Sequence, residues 1–251
     1  MTALLEVRRL EKSFGSVVAA SNIEVDVEAG EVIGIIGANG AGKTTFVNLV
    51  TGYLKPTSGT IAFQGRDITA LAPHDVIAAG ISRSFQVPQV FATSTVFDNL
   101  LIACGIAEGG RFPLWRSLRR PALVAAAEGL VARFGIAPYR DQPAQLLPQG
   151  VRKLLDIAMA LVRAPKLLLL DEPTSGISAE EKFAIMDLIM AALAKENIAV
   201  MFIEHDMDIV ARYARRVLAF VDGAIVAAGD PATVLADPQV RRAITGEPVP
   251  S

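Results

Sequence analysis

Nine residues constrain this chain more than any others: Gly37-Ala38-Asn39-Gly40-Ala41-Gly42-Lys43-Thr44-Thr45. The run satisfies G-x-x-x-x-G-K-[ST]. Before it stands Glu31-Val32-Ile33-Gly34-Ile35-Ile36, a β-branched segment with the pattern of a strand buried on both faces; after it comes a helical stretch from Lys43 to about Gly52. Strand, glycine-rich turn and helix in that order make a phosphate cradle. Glycines let backbone N–H groups turn inward around phosphate oxygens where a Cβ would block them, and the helix N-terminus adds partial positive charge. Lys43 is placed to reach terminal phosphates, and the Thr44 hydroxyl suits Mg²⁺. A chance match in such a chain is on the order of 1%, and a plain glycine turn leaves Lys43 unexplained.

A cradle alone does not say what is done with the phosphate. Leu167-Leu168-Leu169-Leu170-Asp171-Glu172-Pro173 reads as a second buried strand ending in two acids. Carboxylates at the carboxyl edge of a sheet stand where α/β proteins bind ligands. Asp171 is a candidate for the Mg²⁺ shell, and Glu172 for orienting or deprotonating a water in an in-line displacement. Asp-Glu-Pro before a helix is also ordinary capping chemistry; beside the phosphate loop, the catalytic reading is favoured. His205 follows a third apolar run, Ala199 to Ile203 and then Glu204, so it stands at another strand end within reach of a γ-phosphate or its attacking water. His74, after Pro73 in an expected loop, has no such context and is read as surface.

Composition narrows the class. The 251 residues are 52% hydrophobic, with a mean hydropathy of +0.42, yet no run approaches the roughly 18 apolar residues that a membrane span needs. The 24 Lys plus Arg against 26 Asp plus Glu give −2, which argues against a general nucleic-acid binder. Cys104 stands alone, which excludes an intramolecular disulfide and fits a reducing compartment. The N-terminal Met1-Thr2-Ala3-Leu4-Leu5-Glu6 lacks a signal peptide's basic flank and apolar stretch.

Along the chain, Leu4 to Leu10 and Ile23 to Val27 alternate as half-buried strands, and Thr60 to Phe63 with Gln64-Gly65 suggests a hairpin. The middle, from about Val96 to Leu161, is helical, notably Ala122 to Phe134 and Val151 to Leu161. Helices are expected over Ala179 to Ala194 and Met207 to Ala214, and Asp222-Gly223 reads as the turn between Val217 to Phe220 and Ala224 to Ala227. Strands alternating with helices around a helical middle imply an α/β core with a helical insertion.

Five landmarks occur in one order: the phosphate loop, Ser84-Phe85-Gln86, LPQGVRKLLDIAMAL (Leu147 to Leu161), LLLLDEP and Ile203-Glu204-His205-Asp206. In this the chain resembles the ATP-binding subunits of ABC transporters, from Leu5 to about Gly246. The resemblance implies a RecA-like P-loop NTPase core with an N-terminal antiparallel β-subdomain and an inserted α-helical subdomain. It implies one domain over 1–246, with the core at about 1–95 and 160–235, the helical subdomain at about 96–159, and a flexible tail at 247–251.

It also implies site roles. Phe14 looks like the aromatic residue that stacks on adenine, and Gln86 like the glutamine that reaches Mg²⁺ and water. Gly37 to Thr45 would bind ATP; Thr44, Gln86 and Asp171 would serve the metal; Lys43, Glu172 and His205 would carry the hydrolysis. Pro148, Gln149 and Gly150 would close over ATP held by a second ATPase subunit, in a homo- or heterodimer. Between Gln86 and the helical insertion, Val87, Val90, Phe91, Val96 and Phe97 would face integral-membrane permease subunits.

Two residues depart from the family pattern. Pro148 stands where a serine is usual and has neither hydroxyl nor backbone N–H, and Ser178 replaces an aspartate that contacts the opposite subunit. Both fall on the dimer face. The long insertion from Gly105 to Gly135, the Leu-Pro-x-Gly motif and Phe202 to Asp208 resemble the branched-chain amino acid import group, whose members also serve urea, short amides and carboxylates. That group works with a periplasmic or extracellular solute-binding protein, on the cytoplasmic face of the inner membrane. Competing readings are an exporter ATPase for lipid or polysaccharide, a soluble ABC-type ATPase acting on nucleic acid or ribosomes, and a non-catalytic ATP sensor. Arg111, Arg116, Arg119 and Arg120, with Trp115 among them, read as a solvated charge run or as a contact for anionic headgroups or a permease loop.

Overall fold

The computed structural model describes residues 3–108, 117–194 and 196–245. In chain order it runs through β1 (Leu5–Phe14), β2 (Val17–Val27), β3 (Val32–Gly37), α1 (Lys43–Val50), β4 (Ser58–Phe63), β5 (Arg66–Asp67), α2 (Pro73–Ala79) and β6 (Ile81–Ser84). The helices α3 (Val96–Ala107), α4 (Pro121–Arg133) and α5 (Gln149–Ala160) follow, then β7 (Leu167–Asp171), α6 (Lys182–Ala194) and β8 (Ala199–Ile203). The chain continues through α7 (Met207–Tyr213), β9 (Arg216–Val221), β10 (Ala224–Gly229), α8 (Pro231–Ala236) and α9 (Pro238–Thr245). Two compact units result: one from residues up to Ser82, Lys166–Glu172 and Asn197 onward, the other from Arg83–Pro165 and Pro173–Glu196.

The first unit carries two sheets. An antiparallel sheet has the order β2-β1-β4-β5, and a second has the order β10-β9-β3-β8-β7-β6. In the second, β3 pairs in parallel with both β8 and β9, and β7 in parallel with β8. Every residue of β3, β7 and β8 is buried, as uninterrupted apolar runs require when both faces of a parallel sheet are covered. Gly34 allows α7 to pack closely there: a Cβ would come within 2.9 Å of Val210 Cγ1.

Local chemistry accounts for several boundaries. β1 and β2 run further than their apolar alternation indicated, because register shifts between Val7 and Ser13, with Arg9 at φ 45°, break the two-residue period without ending the pairing. Asp222 (φ 46°) and Gly223 (φ 81°) supply the two positive φ angles of a tight hairpin between β9 and β10, as read from the sequence. Helix α6 starts at Lys182 rather than Ala179, because the Ser178 hydroxyl accepts the Glu181 N–H and donates to its carboxylate, holding a turn there. His74 is at the surface as expected, but in the first turn of α2 and not in a loop.

The second unit is helical. Thr95 caps α3 by accepting the Asp98 N–H at 3.0 Å. Asn99, fully buried, accepts from Phe91 N and donates to the carbonyls of Phe91, Ser94 and Thr95, so it ties the preceding loop to the helix. This corrects one expectation. Val96 and Phe97 are core residues of this unit, not docking surface, because the capped first turn of α3 directs them inward. Val87 and Phe91 remain exposed. Of the basic group, Arg119 pairs with Asp98 at 3.0 Å and Arg120 with Glu108; Arg111, Trp115 and Arg116 lie outside the described residues, as does the tail 247–251.

Two charges are buried on α5, Lys153 and Asp156. Burial pushes the Asp156 carboxyl up to about 6, against the lowering effect of the Gln89 and Phe85 N–H groups and of Lys153. A carboxyl whose pKa is higher folded than unfolded contributes stability that is fully present below about 3.8 and is lost as pH rises through about 6. Wild type measured against Asp156→Asn should therefore gain relative stability between pH 7.5 and pH 4, by a few kcal/mol at most. Denaturant unfolding at the two pH values checks this; a difference independent of pH refutes it.

Candidate active site

Strand register assembles the site. Ile35 of β3 stands opposite Ile203 of β8, and Ile203 stands opposite Asp171 of β7. The loop after Ile35, the acids at the end of β7 and the Glu204-His205 pair after β8 therefore leave the sheet at one edge. The ladder continues past the strands: Glu172 N–H donates to Ile203 O at 3.0 Å and Glu204 N–H to Ile35 O at 3.3 Å.

A cleft of about 140 Å³ opens at this edge, lined by Asn39 to Thr45 together with Glu172, Ile203 and His205. Lys43 is buried, and its ammonium donates to Gly37 O at 2.6 Å and Ala38 O at 2.8 Å, folding the side chain back across its own loop. Desolvation lowers its pKa while the nearby Glu172 and Asp171 carboxylates oppose that shift. Glu172 Oε1 lies 3.1 Å from His205 Nε2, so acid and imidazole share a hydrogen bond in the Nε2–H tautomer. Glu172 adopts φ 50°, a left-handed conformation that few non-glycine residues tolerate and that tends to mark functional positions. Asp171 is buried in β7 beneath it.

The loop's glycines are required by contact as well as conformation. At Gly37 (φ 150°) a Cβ would fall 2.4 Å from Phe220 O, and at Gly42 (φ 99°) 2.8 Å from Ala19 O and 2.9 Å from Gly223 Cα. Gly40 has open space around its Cβ position, and φ 83° alone explains it.

Gly223 is a support that sequence reading missed. It was legible as a turn residue, but it also donates its N–H to Ala41 O at 3.0 Å and accepts the Ser21 N–H at 2.9 Å, bracing the phosphate loop from the β9–β10 hairpin. That second use joins residues far apart in sequence and leaves no local signal. Gly223→Ala should cost about 1–2 kcal/mol from its φ alone, plus the approach to Ala19 C and O at 3.0 and 3.1 Å. Gly65→Ala is the control: it has a similar φ of 74° but nothing within 4 Å. Both variants should melt lower, and only Gly223→Ala should also weaken nucleotide binding.

The remaining site residues are distributed otherwise. Phe14 ends β1, is 49% exposed, and lies with the Lys12 ammonium 5.0 Å from its ring centroid; it does not line the cleft. Gln86 and Pro148 to Gly150 belong to the second unit. There Pro148 is the residue before α5, with Gln149 and Gly150 opening the helix, and a Cβ on Gly150 would come within 2.9 Å of Ile185 Cδ1. A groove of about 360 Å³ in the same unit is lined by Gln86, Val87, Val90, Gln149 and Arg152 among others.

The ABC transporter family model matches residues 20–175. This chain belongs to the ABC transporter family. It is an ATP-binding, ATP-hydrolysing member of it, with the P-loop NTPase fold that the landmarks implied. It is 34% identical over 251 residues to the high-affinity branched-chain amino acid transport ATP-binding protein LivG of Salmonella typhimurium, covering 97% of this chain and 98% of that one. It is 33% identical to BraF of Pseudomonas aeruginosa, with the same coverage, and 33% to the probable LivG of Archaeoglobus fulgidus over 94% of this chain and 93% of that one. Among solved structures, the ATP-binding cassette MJ1267 superposes with a TM-score of 0.87 at 32% identity, covering 98% of this chain and 99% of that one. CbiO1 of Clostridium perfringens gives 0.82 at 28%, covering 98% and 96%. Among the described residues of this ABC ATPase no helix is long and apolar enough to cross a membrane.

Proposed function

We propose that this ABC ATPase powers uptake of branched-chain amino acids or related small polar solutes through partner permeases. The observation that carries the reading is the convergence of Lys43, Glu172 and His205 on one cleft at the sheet edge; the import group rests on the likeness to LivG and BraF along nearly the whole chain. The ATPase works as a peripheral subunit on the cytoplasmic face of the membrane, paired with a second ATPase subunit and served by an external solute-binding protein. The exposed Val87 and Phe91 and the adjoining groove are the docking surface for a permease segment. Phe14 packs on the adenine ring.

In the reaction, the Lys43 ammonium exchanges the Gly37 and Ala38 carbonyls for β- and γ-phosphate oxygens. Backbone N–H groups of the phosphate loop and of the first turn of α1 take the rest of the phosphate charge. A hydroxyl from Thr44 and a carboxylate from Asp171 are hard oxygen donors, few in number, which suits a cation that keeps waters and phosphate oxygens in its shell. Mg²⁺ held there, with Gln86 as a further ligand, would supply charge neutralisation to the phosphates. Glu172 orients water and takes its proton as the water oxygen bonds to the γ-phosphorus and the bond to the β–γ bridging oxygen breaks. ADP leaves with that electron pair. His205, donating to Glu172 through Nε2–H, orients the acid beside the γ-phosphate. Pro148 to Gly150 form the lid over the partner's nucleotide.

Proteoliposomes holding this chain with the permeases, second ATPase and binding protein from adjoining genes test the reading. ATP-dependent accumulation of labelled leucine, competed by isoleucine and valine or by a short amide, is the expected result. Hydrolysis without uptake of any such solute overturns it.

A further inference from the structure

Helix α5 carries two buried charges one turn apart, Lys153 (2% exposed) and Asp156 (6% exposed), on the same face by their i,i+3 spacing. Burying an ion pair on a helix is costly and needs specific partners to offset it. The partners here include main-chain groups on both sides of Gln86 and a hydroxyl. Lys153 Nζ donates to Gln86 O at 2.6 Å and to Ser175 Oγ at 3.2 Å. Asp156 Oδ2 accepts the Phe85 N–H at 3.2 Å, and Oδ1 accepts the Gln89 N–H at 2.8 Å. The backbone is thus gripped before, at and after Gln86, while the Gln86 residue itself remains exposed. The same lysine reaches Ser175, three residues beyond Glu172, so one ammonium holds both segments within this unit.

We propose that Lys153 and Asp156 are positioning residues, a buried clasp whose task is to fix where Gln86 presents its side chain during ATP hydrolysis. The inference rests on the reading of Gln86 as a ligand to Mg²⁺ and water. A packed apolar pair would hold the helix to its neighbours as well; only a donor and an acceptor fix the register of an irregular backbone by binding its C=O and N–H groups.

A double-mutant cycle in the assembled transporter tests this. Lys153→Met should lower kcat about tenfold and raise the Mg²⁺ concentration for half-maximal turnover, with ATP affinity measured by equilibrium binding changed less than about threefold. Lys153→Arg, which keeps charge and donors, should restore most of the rate. In the Gln86→Ala background, Lys153→Met should have little further effect, because a misplaced glutamine and an absent one are alike. Full additivity of the two substitutions overturns the clasp as a positioning device, as does loss of ATP affinity in parallel with kcat. If Gln86→Ala itself hydrolyses at the wild-type rate, the reading of Gln86 fails. The clasp is then judged alone by amide exchange at Phe85 and Gln89: faster exchange in Asp156→Ala supports it, and unchanged protection overturns it. Should Lys153→Met not fold, Asp156→Glu keeps the charge, moves the acceptors by one methylene, and is read in the same cycle.

Discussion

Replacing Glu172 with glutamine is expected to lower ATP turnover by about 10²–10⁴-fold while leaving ATP binding intact. The substitution is nearly isosteric, so the φ of 50° and the Glu172 N–H bond to Ile203 O persist. The amide oxygen still accepts from His205 Nε2 at the position Oε1 now holds, 3.1 Å away. What is lost is the carboxylate's capacity to accept a proton from water. Removing that negative charge also reduces repulsion of the incoming phosphates, so affinity is retained or improved, and the ATP-loaded dimer should accumulate in its closed form. Phosphate release measures the first effect and light scattering with ATP the second. Hydrolysis at the wild-type rate removes Glu172 from the mechanism. Weak ATP binding in the variant assigns the acid to holding the nucleotide instead.

How much of this was legible in the sequence follows from how local each cause is. The strand before Gly37, the acids closing Leu167 to Asp171 and the histidine after Ile203 are runs read without knowing the fold, and parallel pairing brings their ends to one edge. Asp222-Gly223 announced a turn through its dihedral demands, but its brace on Ala41 is a contact between distant segments and had no local sign. Val96 and Phe97 show the same limit from the other side. The family resemblance grouped them with Val87, Val90 and Phe91 as one docking segment, and only the Thr95 cap and the buried Asn99 separate the exposed Val87 and Phe91 from the core pair. Lys153 and Asp156 carry no local sign of burial; the irregular backbone around Gln86 makes burial possible by supplying a carbonyl and two N–H groups.

Lys43→Ala should separate binding from chemistry in the opposite direction to Glu172→Gln. The ammonium already makes two short bonds to Gly37 O and Ala38 O, so its stem is ordered and little conformational entropy remains to be lost when phosphate oxygens replace those carbonyls. Charge-assisted bonds of this kind contribute about 1.5–3 kcal/mol each, so losing two should weaken ATP binding by at least about 100-fold. A second effect acts on the free protein. Without Lys43 the two carbonyls turn toward solvent or find water, and the loop loses the link between the end of β3 and the start of α1. The stabilisation that saturating ATP gives wild type, which grows as RT ln(1 + [L]/Kd), should therefore nearly vanish in the variant, while the melting temperature without nucleotide falls by only a few degrees. Thermal shift with and without ATP reads both quantities in one titration. A variant that melts like wild type and keeps the full ATP-dependent shift would mean that the backbone N–H groups and the helix N-terminus hold the nucleotide by themselves.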